Sequence, residues 1–126
     1  MLRRFVMMGG INLFLSVALG AFGAHALKER ISEQMLANWQ TGVHYHMIHA
    51  LGMLLVAILA DKLIGQQKLV RLSGNLLQVG IVFFSGSLYV MALTGVKILG
   101  AITPIGGVCF LAAWILLVVA ASKQPK

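Results

Sequence analysis

The chain has 126 residues, of which 60 % are apolar and 10 % charged, with a formal net charge of +7. A soluble domain carries roughly 25 % charged residues, so a chain with a mean hydropathy of +0.93 lacks the polar surface to dissolve, and composition excludes a soluble globular domain in favour of the membrane class. The ten Lys and Arg residues sit at the ends of apolar stretches, not on one basic face interleaved with aromatics, which excludes a nucleic-acid interface.

Four apolar stretches are each long enough to cross a bilayer: Phe5–Leu27, Val43–Ala60, Leu72–Leu93 and Ile98–Ala121. A hydrocarbon core takes about 20 apolar residues as a helix, so the predicted fold is an all-α membrane protein, a four-transmembrane-helix bundle forming one domain over residues 1–126. Arg3 and Arg4 ahead of an apolar run that ends in Ala24-His25-Ala26 imitate a signal peptide. Such signals have apolar cores of roughly 7–15 residues; this run is longer and reads as a retained first helix.

Lys28–Gly42 is the longest stretch between spans. Leu27-Lys28-Glu29-Arg30 either continues the first helix or bends away from it. Ser32 is placed to cap a new short helix, with Glu33 in its favourable first turn. Ile31 and Leu36 then have the spacing of a hydrophobic staple. Met35, Leu36 and Trp39 share a face, which predicts a short amphipathic outer segment between the first two spans, lying in the interface with Trp39 at headgroup level.

Four spans put both termini on one side. Arg3, Arg4, Lys62, Lys68, Arg71, Lys123 and Lys126 lie on that side; Lys28, Arg30 and Lys97 lie on the other. The positive-inside rule therefore predicts cytoplasmic termini and a cytoplasmic Asp61–Arg71 loop.

Small and polar residues gather towards the outer ends of the spans. Ser16, Gly20 and Ala24 form a small-xxx-small stripe that predicts close helix packing, and Gly86, Gly106 and Gly107 are candidates for the same role. Pro104 falls in the opening turns of the fourth helix, where its missing N–H costs least. The lone Cys109 reads as a small buried hydrophobe and supplies neither a disulfide framework nor a thiolate metal site. Asn12 and Ser16 in the first span, with Asn75 and Gln78 in the third, are the polar residues of the inner half.

The histidines are the most specific feature. His44, His46 and His49 open the second span and His25 closes the first. His46 and His49 are three apart and share a helix face; His44 points elsewhere. His25, His46 and His49 are therefore expected to converge, with Tyr89 nearby. Three readings are open: interhelical hydrogen bonding, with Tyr89, Thr94 or Thr103 as partners; a metal or haem site, since imidazole suits zinc, copper and iron; or a proton or small-solute site, since histidine titrates near neutrality and ionisable groups at membrane depth are functional candidates. No acidic residue lies mid-span, which disfavours a carboxylate-based ion pump. Ser85-Gly86-Ser87 follows no strand and is not a nucleophile elbow.

Four ordered motifs carry a family resemblance: Gly20-Ala21-Phe22-Gly23-Ala24-His25-Ala26, Trp39-Gln40-Thr41-Gly42-Val43-His44-Tyr45-His46-Met47-Ile48-His49-Ala50, Phe84-Ser85-Gly86-Ser87-Leu88-Tyr89 and Leu99-Gly100-Ala101-Ile102-Thr103-Pro104-Ile105-Gly106-Gly107. They resemble the bacterial domain-of-unknown-function 423 family, itself similar to the animal transmembrane protein 256. The resemblance spans nearly the whole chain and implies a small multi-pass protein of the bacterial inner membrane; it implies no activity. The expected function is accordingly structural or accessory, with an outer-leaflet polar cluster that packs helices and docks a partner or lipid. The alternative is a solute-, proton- or metal/haem-binding protein using His25, His46, His49 and Tyr89. No catalytic residue and no cofactor is predicted, metal or haem remaining an alternative. The expected partners are the bilayer and further copies of the chain, with any other protein partner unidentified.

Overall fold

The computed structural model describes residues 1–126. It is helical throughout, with four helices long and apolar enough to cross a membrane: α1 (Leu2–Leu27), α2 (Glu33–Leu59), α3 (Gln67–Thr94) and α4 (Lys97–Ser122). α1 closes in a wide π turn over Gly23–Leu27, α3 carries another over Ile81–Ser85, and α4 begins with a 3₁₀ turn over Lys97–Ala101. Each helix is about 40 Å long at 1.5 Å per residue, so every one exceeds the hydrocarbon thickness of about 30 Å.

The segment between the first two spans differs from the sequence expectation. Ser32 does cap a helix, its Oγ accepting from the Met35 N–H at 3.1 Å. That helix is not a separate interfacial element; it runs without a break to Leu59. Trp39 is packed inside the bundle, 2 % exposed, its indole N–H donating to the Leu19 carbonyl at 2.9 Å. Gly23 makes room for it, since a Cβ there would stand 2.5 Å from the indole ring. Packing Trp39 between Phe22 and Tyr89 holds the polar first turns of α2 upright against α1.

α2 and α3 form the centre, burying 44 % of their apolar windows against 22 % for α1 and α4. α1 packs on α2, α2 on α3, and α3 on α4. α3 and α4 approach closely at Gly106, where a Cβ would collide with the Phe84 backbone and the Gly80 carbonyl. Ser73 Oγ donates across the same pair to the Ala113 carbonyl at 2.8 Å. Ser85 Oγ donates from α3 to the Gly42 carbonyl of α2 at 2.7 Å. Such bonds are worth on average about 0.6 kcal/mol each in a membrane bundle. At the end holding the termini, Gln124 bonds both the amide and the carbonyl of Ile64, tying the chain end to the α2–α3 loop.

The interior has two apolar clusters. The larger, around Phe5, Met53, Val56, Leu77, Phe110 and Ala113, fills the half nearer the termini. The smaller, around Leu27, Trp39 and Ala92, closes the other end, and Ile31 and Leu36 pack against it. Between them lies a polar layer.

Candidate functional site: a polar layer and an aromatic groove

His46 stands midway between the ends of α2. The apolar run beginning at Val43 predicts a place in its outer half. The helix itself starts ten residues earlier than that run, at Glu33. The polar residues around His46, expected in the outer leaflet, form a layer between the two apolar clusters.

His46 is 3 % exposed, and both ring nitrogens are occupied. Nδ1 lies 2.9 Å from the Tyr89 hydroxyl and Nε2 lies 3.0 Å from Asn12 Oδ1. Asn12 Nδ2 donates to the Met8 carbonyl and to Gln78 Oε1, each at 2.8 Å. These contacts fix the hydrogens. A backbone carbonyl can only accept, so the Asn12 atom facing Met8 is the amide nitrogen, and Oδ1 must accept from His46. Neutral His46 therefore carries its proton on Nε2, and Tyr89 donates to Nδ1. A directed chain Tyr89 → His46 → Asn12 → Gln78 results, built from α1, α2 and α3. Nearer the termini, Arg4 donates to Asn75 Oδ1 at 2.8 Å.

His49, one turn along α2, is 4 % exposed and is built differently. Its Nδ1 lies 2.7 Å from the Tyr45 carbonyl, which can only accept, so the proton is on Nδ1. Its ring lies flat on Phe110 of α4, centroids 3.5 Å apart and planes 11° from parallel, and is nearly parallel to Tyr45. α2 and α4 do not pack backbone to backbone; rings bridge the gap between them. Tyr45 and His49 on α2 and Phe110 and Trp114 on α4 are i, i+4 pairs, and Phe84 enters from the π turn of α3. With Pro104, Gly107, Val108 and Leu111 these rings line a groove of about 490 Å³.

His25 is exposed on the closing π turn of α1 and joins neither His46 nor His49; the expected three-histidine convergence does not form. One reason is that the buried line of α1 runs Phe5, Gly9, Asn12, Ser16, Gly23 and Leu27, which leaves His25 on another side. The same line excludes Ala24, which is exposed, so the small-residue stripe keeps Ser16 and Gly20 and then passes to Gly23. Gly106 is in the tight α3–α4 crossing, whereas Gly107 faces space and Gly86 has no close neighbour beyond its own helix. Ser87 bonds Thr103 between α3 and α4. No group of three or more His, Cys, Asp or Glu side chains stands close enough to hold a metal ion. An axial haem role for His46 opposite His25 does not fit, since neither His46 nitrogen is free and His25 is turned away.

Asn12 and Gln78 join the site although the sequence marks them only as polar residues of the inner half. Their polarity mid-span was the usable signal. Phe110 and Trp114 gave no signal, because aromatic residues in an apolar helix read as core.

Residues 19–107 match a family described as a protein of unknown function (DUF423). The chain is 54 % identical over 122 residues to the UPF0382 membrane protein YwdK of Bacillus subtilis, covering 97 % of this chain and 98 % of that one. It is 42 % identical to a UPF0382 membrane protein of Staphylococcus haemolyticus and 45 % identical to one of Staphylococcus epidermidis, each covering 97 % of this chain and 98 % of the relative. No solved structure matches. With its helices, its matched region and its relatives in agreement, the chain belongs to the DUF423 (UPF0382) family of membrane proteins, to which no biochemical activity is assigned.

Proposed function

We propose that this protein is an accessory component of the bacterial inner (plasma) membrane, both termini cytoplasmic, whose polar layer locks its helices into one arrangement so that it can dock a partner. The observation that carries this reading is the closed hydrogen-bond chain through His46. Both ring nitrogens and both Asn12 amide hydrogens are spent inside the molecule, so His46 has no nitrogen left for a ligand. Buried polar groups that are fully satisfied rigidify and specify a fold.

The orientation is supported by the excess of Lys and Arg at the terminal side. Assembly into homo-oligomers is supported by size, since only 32 of 126 residues are buried in the isolated chain. Two experiments test the reading. Single cysteines at Lys126 and at Lys28, in a Cys109→Ala background, should be labelled by an impermeant maleimide only from the cytoplasmic and only from the outer face respectively; the reverse labelling overturns the orientation. Chemical crosslinking in intact membranes should yield multiples of the 13.6 kDa chain; a monomer band alone overturns self-assembly.

A further inference from the structure

The aromatic groove between α2 and α4 has a feature that packing does not explain. His49 Nδ1 is bonded to its own helix, and in that tautomer Nε2 is an unprotonated acceptor. Nothing in the chain donates to it. No enclosed side-chain nitrogen or oxygen lacks a partner, so Nε2 must be reachable from outside although the residue is 96 % buried. His49 lines the groove, its ring packed among the groove's own aromatic walls Tyr45, Phe110 and Trp114. Stacking on Phe110 and the bond to Tyr45 hold the ring still, so the acceptor is pre-organised. An unpaired acceptor at membrane depth costs free energy unless a donor arrives.

We propose that this groove is a binding site for a lipid-soluble molecule with a flat, hydroxylated ring, of the phenol or quinol class. Its hydroxyl donates to His49 Nε2 while its ring lies among Tyr45, Phe84, Phe110 and Trp114. Three observations select this class. The walls are aromatic, and flat rings pack on them in stacked or tilted geometry. The volume, about 490 Å³, is in the range of small-molecule sites. The free polar atom is an acceptor, so the ligand must bring a donor. A phospholipid does not meet the last condition, because its polar headgroup stays at the interface while the groove extends inward from Pro104 to Trp114, about 15 Å along α4. The site is independent of the accessory role proposed above, since it uses none of the His46 chain.

The test uses the whole protein in nanodiscs, titrated with a decyl-substituted benzoquinol and, separately, with its dimethyl ether, which keeps ring and tail but has no hydroxyl. The readout is quenching of tryptophan fluorescence, with Trp114→Phe identifying the part that arises in the groove. The expected result is saturable quenching by the quinol, with the ether binding at least tenfold more weakly. His49→Phe should weaken the quinol about tenfold and leave the ether unchanged. Gly107→Leu should abolish both by filling the groove, and it has space to fold because a Cβ there meets only Phe84, at 3.9 Å. Equal affinity for quinol and ether, unchanged affinity in His49→Phe, or no saturable quenching in the wild type would each overturn the proposal. So would a groove that is covered by a second copy of the chain, seen as dissociation of an oligomer in Gly107→Leu with no quinol binding in either protein. Should His49→Phe fail to fold, the quinol–ether difference on the wild type and the Gly107→Leu result still decide.

Discussion

His46 and His49 lie one turn apart on α2, are equally buried, and are treated oppositely. His46 turns to α1 and α3, and every nitrogen and hydrogen around it is spoken for. His49 turns to α4, keeps one nitrogen unengaged, and is held by stacking. The same contrast recurs on α4. Gly106 faces α3 at backbone contact, while its neighbour Gly107 faces the groove and open space. The bundle thus has a closed side, where polar groups and small residues bring helices together, and an open side, where rings keep two helices apart. Identical residue types do different work because a helix carries them past different neighbours every 100° or so.

The largest test of this contrast is at the glycines. Gly106→Ala should destabilise by about 3 kcal/mol, since the added carbon meets backbone that moves only if α3 and α4 separate. Gly107→Ala should change stability by less than about 0.5 kcal/mol. Thermal unfolding in mild detergent separates the two, and similar costs would mean the sides are not distinct.

At the histidines the expected difference is smaller. His46→Phe strands the Tyr89 hydroxyl and Asn12 Oδ1 in an apolar interior and should cost about 2 kcal/mol. His49→Phe preserves the stack, loses one bond within its own helix, and should cost less than about 1 kcal/mol. Equal losses would break the comparison.

Tyr89→Phe removes one hydroxyl and leaves His46 Nδ1 unpaired, for about 1 kcal/mol. In a double-mutant cycle with His46→Phe that cost should largely vanish, because the partner is already gone; full additivity would mean the 2.9 Å contact carries no energy. The smallest effect belongs outside the layer. Ser32→Ala should cost about 0.5 kcal/mol through the lost cap, read as faster amide exchange confined to the first turn of α2.

The four spans were legible because hydropathy reports directly on which residues lipid tolerates. The start of α2 was not. Glu33 to Gln40 is a mixed polar segment, and hydropathy marks the apolar run, not the helix that contains it. What extends the helix is the docking of Trp39 against Gly23 and Leu19, a tertiary contact. His25 failed as a site member for a local reason, since the face it presents depends on the buried line of α1 and on a π turn that an ideal 3.6-residue pattern does not contain. The pairing of Tyr89 with His46 was among the partners the sequence allowed. Asn12 was visible as a polar residue mid-span, yet its partnership with His46 depends on helix rotation, which no single sequence states.

The most direct test of the closed and open sides is the tautomeric state of the two histidines, read from two-bond ¹H–¹⁵N correlations on protein with ¹⁵N-labelled histidine, assigned with the single His→Phe variants. Opposite neutral tautomers are expected one turn apart, Nε2–H for His46 and Nδ1–H for His49. The same tautomer at both positions, or an imidazolium at His46 near neutral pH, would contradict that expectation.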